Sequence, residues 1–98
     1  MLAEHPAVLL GTRFRVRERV LSRRLDNETV LLDLDSGHYF DLDETGGRIW
    51  AALLADESPE SLVALLAGEF DAPREVIARD VAGLLGELER AGLVVREG

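Results

Sequence analysis

Residues 20–42 alternate between apolar and polar with a period of two, and after Leu42 the period lengthens to that of a helix. The alternating part divides into residues 20–25, a turn at Asp26-Asn27-Glu28, residues 29–34, a turn at Asp35-Ser36-Gly37, and residues 38–42. Connections this short join antiparallel neighbours, so the pattern predicts a three-stranded antiparallel meander. Val30, Leu32 and Leu34 share one face of the second strand, and Phe40 and Leu42 one face of the third. These are the faces expected beneath helices. Asp43 is placed to cap a first helix over residues 44–55, with Ile49, Trp50, Leu53 and Leu54 as its apolar stripe. Ser58-Pro59 opens a second helix, a cap followed by proline at the first helical position, which presents Leu62, Val63, Leu66 and Phe70. Pro73 opens a third and longest helix, reaching to about Ala91, where Gly92 can terminate it; Ile77, Val81, Leu84, Leu85 and Leu88 form its stripe. Leu93-Val94-Val95 reads as a short closing strand. The order is βββααα: an α+β domain with helices packed on one face of a small sheet. Residues 1–19 contain Pro6, Gly11 and the weak alternation RFRVRER, whose apolar positions are only Phe14 and Val16. They read as an irregular lead-in, an edge strand or an arm, leaving residues 20–96 as the domain.

Ninety-eight residues at 47% hydrophobic composition suit one globular domain with its own core. No apolar run approaches the roughly 18 residues of a membrane span, and MLAEHPAVLL lacks the basic start of a secretory signal. With no cysteine, neither a disulfide nor a thiolate metal site is available, which fits a cytoplasmic protein. Charge is divided unevenly. Residues 1–25 carry a net +4 and residues 26–98 a net −12, which together give −8, and every basic residue is Arg. A body this acidic repels phosphate backbones, so nucleic acid is not the expected partner.

The stretch HYFDLDETGG contains Asp41-x-Asp43-x-Thr45, the opening of the aspartate-nucleophile phosphohydrolase signature. That chemistry needs a central parallel strand, a Lys on the phosphoryl group and further carboxylates for Mg²⁺. The chain has no Lys and no βαβ alternation. A simpler account serves each residue: Asp41 sits on a strand, Asp43 caps a helix and Thr45 lies in its first turn. His5 and His38 are the only histidines and do not make a zinc site. Ser22, Ser36, Ser58 and Ser61 have turn, strand or helix-start explanations, and none sits in a Gly-x-Ser-x-Gly elbow. No catalytic residue, metal or cofactor is expected.

An interaction surface is expected instead. In a meander the first and third strands are edges, and an unprotected edge can accept another chain. The third strand, His38-Tyr39-Phe40-Asp41-Leu42, carries two aromatics. Beside the core stripe of the third helix, Val76, Asp80, Gly83 and Glu87 share a flank. Gly83 in a helix interior costs about 1 kcal/mol relative to Ala, which suggests close approach by a partner. A groove between strand and helix would offer main-chain hydrogen bonds on one side and side-chain pockets on the other.

SGHYFDLDETGGRIWAALL, followed by ESLVALLAGEFDAP and RDVAGLLGELERAGLV, resembles the PqqD-like proteins, also called RiPP recognition elements, over residues 20–95. Asp43 stands where that family often has Asn. The resemblance implies a winged-helix-like three-stranded sheet with three helices. It also implies non-catalytic binding of the leader segment of a ribosomally made precursor peptide, added antiparallel to the third strand and packed on the third helix. Carried over by position, it points to His38, Tyr39, Phe40 and Asp41 on the strand. Opposite them it points to Val76, Asp80, Gly83, Leu84 and Glu87. The implied partners are the precursor and a maturation enzyme, either a leader peptidase of a lasso-peptide pathway or a radical-SAM enzyme of the pyrroloquinoline quinone type. Two alternatives remain at this point: a winged-helix DNA binder, opposed by the acidity of the third helix, and a structural module that forms a homodimer through its own strand edge.

Overall fold

The computed structural model describes residues 6–97. The chain runs through α1 (Pro6–Leu10), β1 (Phe14–Val16), β2 (Val20–Leu25), β3 (Glu28–Asp33), β4 (Tyr39–Leu42), α2 (Glu44–Leu54), α3 (Pro59–Phe70), α4 (Arg74–Arg90) and β5 (Val94–Arg96). The three expected strands are β2, β3 and β4, and the three expected helices are α2, α3 and α4. The strands form an antiparallel sheet of order β2-β3-β4, so β3 is central and β2 and β4 are its edges. The β2–β3 hairpin closes at Leu25 opposite Glu28 through a two-residue turn, with Asp26 in the left-handed region at φ 55°, a conformation Asp tolerates better than most residues.

The helices begin where the caps place them. Asp43 Oδ1 accepts the Gly46 N–H at 2.7 Å, and Ser58 Oγ accepts the Ser61 N–H at 3.1 Å ahead of Pro59. Gly92, at φ 76°, follows the end of α4 and turns the chain into β5. Glycine at position 47 lets α2 press on the sheet: a Cβ there would lie 2.5 Å from Thr29 Oγ1. The core gathers Ile49 and Trp50 of α2, Leu66 of α3, and Val81 and Leu85 of α4 against Leu31 of the sheet. Leu54 and Phe70, expected on the inner stripes, are exposed instead at the ends of their helices.

The second strand turns its other side inward. Its buried positions are Thr29, Leu31 and Asp33, whereas Val30 and Leu32 are half-buried and Leu34 is exposed. Apolar residues occupy both parities of TVLLDL, so the alternation alone favoured the face with three of them over the face with Leu31. The register decides otherwise, because Leu31 lies opposite Phe40, and Thr29 opposite Leu42, with all four on the helix side. Asp33 is accommodated there by the Asp35 N–H, which donates to its Oδ1 at 2.9 Å. That bond, set against the opposing effect of burial and helped by Ser36 and Arg17, holds the Asp33 carboxyl below its usual range.

The segment read as an irregular lead-in over residues 1–19 is, from Pro6 onward, part of the body. Residues 1–5 lie outside the described residues. Helix α1 packs on α4, Leu9 and Phe14 are buried, and β1 pairs antiparallel with β5. Arg17 fastens the two sheets, donating from Nη1 to the Gly92 carbonyl at 2.8 Å and from Nη2 to Asp35 at 2.9 Å. The closing strand read at residues 93–95 is thus β5, and its partner is the RFRVRER segment about 80 residues away in sequence.

Candidate functional site

The phase of the β-ladder determines which groups β4 offers to a partner. Asp33 N–H donates to the His38 carbonyl at 3.0 Å, and on the other side of β3, Leu34 N–H donates to Arg19 at 2.9 Å. In an antiparallel pair the bonded positions alternate. The main chains of His38, Phe40 and Leu42 therefore face β3. The N–H and C=O groups of Tyr39 and Asp41 face away, along the free edge of the sheet.

Beside this edge lies a cleft of about 630 Å³ between the end of β4, the first turns of α2 and one side of α4. Its buried lining is Leu42, Gly46 and Ile49, with Leu84 half-buried; Asp41, Asp80, Gly83 and Glu87 are exposed around it, and Asp43, Thr45 and Arg79 complete it. The helix begins so close to the strand because Asp43 both ends β4 and caps α2. Of the residues pointed to by the sequence, Asp41, Asp80, Gly83, Leu84 and Glu87 come together around the cleft. Phe40 sits half-buried on the inner face, and Tyr39 stands 71% exposed on the outer face, so both contribute to the edge rather than to the cleft. His38 precedes β4 with its carbonyl engaged by Asp33. Val76 is exposed but lies outside the cleft lining, one turn before Asp80.

Ile49, Gly46 and Arg79 were not foreseen as site residues. Ile49 is hidden in the sequence because its spacing assigns it to the core, and it is both core and cleft floor. Arg79 lies one turn before Gly83, on the flank already singled out. At Gly83 an added Cβ would meet nothing within 4 Å, so no intramolecular packing demands glycine there.

Two further surfaces stand apart. On the outer face of the sheet the register aligns Leu21, Leu32 and Tyr39 in one row across β2, β3 and β4. A second cleft of about 480 Å³, on the β2 side, is lined among others by Ser22, Arg24, Trp50, Leu54 and Leu65. Trp50 is buried, and among the described residues its Nε1–H has no acceptor. Among the described residues, no group of His, Cys, Asp or Glu is gathered to hold a metal ion, and no helix is long and apolar enough to cross a membrane. The Asp-x-Asp-x-Thr stretch lies on an antiparallel edge strand with Asp43 bonded to Gly46, not on a central parallel strand.

The family model described as coenzyme PQQ synthesis protein D (PqqD) matches residues 28–94. Among solved structures the chain is similar to TbiB1 in complex with the TbiA(beta) leader peptide, at 36% identity and a TM-score of 0.77, covering 86% of this chain and 95% of that one. It is also similar to a lasso peptide synthetase B1 complexed with the leader peptide, at 32% identity and a TM-score of 0.79, covering 85% and 98%. The PqqD truncation of Methylobacterium extorquens PqqCD, described as a stand-alone RiPP recognition element, shares the fold at 22% identity and a TM-score of 0.71, covering 85% and 88%. No curated protein matches the chain.

Proposed function

The chain belongs to the PqqD family, and we propose that it binds the leader segment of a ribosomally made precursor peptide and presents it to a maturation enzyme without itself catalysing a reaction. The observation that carries this reading is the outward main chain of Tyr39 and Asp41 beside a cleft whose far wall is α4. An extended guest adding to β4 would make main-chain bonds with these two residues. Its inward side chains would enter the cleft over Leu42, Ile49 and Leu84. A preformed edge and groove offset the several kcal/mol that a disordered leader gives up on docking.

The two relatives above 30% identity are bound to leader peptides, one of them a lasso peptide synthetase B1, which supports a lasso-type pathway; a leader peptidase is the enzyme partner this reading proposes. The apolar row Leu21–Leu32–Tyr39 adjoins the same edge and offers that enzyme a surface next to the guest. DNA binding is not favoured: α4 carries Arg74, Arg79 and Arg90 against Glu75, Asp80, Glu87 and Glu89. Self-pairing through β4 would compete with the guest for one edge.

The test is amide hydrogen exchange measured by NMR, with and without leader peptides, beginning with the TbiA(beta) leader. The amides of Phe40 and Leu42 are bonded to β3 and should be protected throughout. Those of Tyr39 and Asp41 should become protected only in the complex. Protection arising on the β2 side alone would refute the assignment.

A further inference from the structure

We infer that the cleft selects a cationic guest, one that places Lys or Arg beside its apolar anchors. The inference rests on the peptide-binding reading above and adds the chemistry of what is read. The cleft is lined by the carboxylates of Asp43, Asp80 and Glu87 and by one guanidinium, Arg79, a formal charge of −2 at neutral pH, and Asp41 borders it with its main chain while its carboxylate stands on the outer face of the same edge. Asp43 is occupied in capping α2. The other three carboxylates are exposed, and among the described residues none takes part in an ion pair. By contrast, Asp35, Asp56, Glu69 and Glu89 each have an Arg partner.

The placement of these groups suits a guest strand. Asp41 presents its main chain to the guest, so the guest residue directly opposite turns its side chain to the same face as the Asp41 carboxylate. Opposite charges at such cross-strand positions attract, and like charges repel. On the other wall, Asp80 and Glu87 are two turns apart on α4, roughly 10 Å along its axis. Gly83 and Leu84 lie between them, so an apolar side chain seated on Leu84 has a carboxylate to either side. Gly83 leaves that approach open. The net charge of −8 adds a long-range field that draws in basic peptides and turns away acidic ones.

Selection of peptides from a random-sequence display library tests this, using the full chain and the double variant Asp80→Asn/Glu87→Gln, which keeps side-chain shape and removes two charges. The expected outcome is enrichment of Lys and Arg next to apolar positions on the wild-type chain, with the cationic preference lost and the apolar preference kept on the variant. A selected cationic peptide should bind the variant on the order of tenfold more weakly. Its affinity for the wild-type chain should fall in about 1 M salt, where the Debye length shrinks to about 3 Å. Enriched peptides without basic bias, or equal affinity for both chains, would overturn the charge selection while leaving the groove reading intact. Failure to enrich any peptide, or binding indifferent to Asp41→Pro, would overturn the groove reading and this inference with it.

Discussion

Proline at position 41 separates capture of a guest from the integrity of the sheet. The Asp41 N–H points away from β3, so Asp41→Pro removes no bond of the native ladder. Proline is tolerated on an edge strand when its N–H side faces outward, and Phe40 before it is already extended, as a residue preceding proline prefers. The folded chain should therefore keep its stability to within about 1 kcal/mol. The complex fares differently. One main-chain hydrogen bond is worth about 1 kcal/mol. The ring also occupies the space the guest backbone would approach, so affinity should fall about tenfold or more. Phe40→Pro reverses the pattern: it deletes an inward N–H bonded within the sheet and a half-buried aromatic ring, destabilising the chain by roughly 3 kcal/mol. Fluorescence anisotropy of a labelled leader peptide gives the affinities, urea unfolding gives the stabilities, and Asp41→Asn controls for loss of the charge. A folded Asp41→Pro chain that binds as tightly as wild type would refute strand addition at β4. An Asp41→Pro chain that unfolds as readily as Phe40→Pro would refute the ladder phase.

Gly83→Ala, in the interior of α4, and Gly68→Ala, in the last turn of α3, each add a Cβ that meets nothing within 4 Å, so both should stabilise the chain, Gly83→Ala by about 0.8–1 kcal/mol and Gly68→Ala by less. Only Gly83→Ala should weaken peptide binding, and equal affinities would remove the guest from that part of α4. Leu84→Ala should reduce affinity at a stability cost of about 1 kcal/mol, whereas Leu85→Ala, with Leu85 only 1% exposed, should lose about 2–5 kcal/mol in urea unfolding; similar losses at both positions would deny the division between cleft and core. Because the folded Asp33 carboxyl titrates below the ordinary value of 3.8, its stabilisation is present above that pH and disappears as pH falls through the lowered value. Unfolding midpoints measured against pH should show a steeper acid limb for wild type than for Asp33→Asn, and parallel limbs would exclude this carboxylate.

What was legible in the sequence is what depends on local chemistry. Asp43, Ser58-Pro59 and Gly92 fix helix boundaries through caps and turns within a few residues, and the structure places them accordingly. What failed depends on distant partners. The inward side of β3 is decided by register against β4 and by the fit of Gly47 to Thr29, neither of which an apolar count over TVLLDL contains. The pairing of β1 with β5 joins opposite ends of the chain, and two apolar residues among arginines give little sign of it. At the site, the α4 flank was visible through helical spacing, but Ile49 was not, since a residue that is core on one side and cleft floor on the other carries a core signature. The sole Trp illustrates the same limit. Sequence order puts Trp50 next to Ile49, yet it lines the cleft on the β2 side, so a labelled guest is a more direct reporter of the β4 groove than Trp fluorescence.

The two alternations of a β-strand coincide in β4, and this divides its residues by role. Phe40 and Leu42 direct their side chains to the helix side and their main chains to β3, so both are committed to the fold. Tyr39 and Asp41 direct their main chains to the free edge and their side chains to the outer face, so both are available to a guest. Main-chain pairing with Tyr39 and Asp41 is nearly indifferent to guest sequence, because every residue except proline offers the same groups. In the proposed binding mode, discrimination would then come from side chains: from the outer-face partner of Asp41, and from the cleft wall at Arg79, Asp80, Gly83, Leu84 and Glu87. Substitutions on that wall should therefore change which peptides bind, whereas a proline on the edge should weaken all of them alike. An α4 flank transplanted from another family member onto this chain should carry its peptide preference with it, and retention of the original preference would place the reading of sequence on the strand instead.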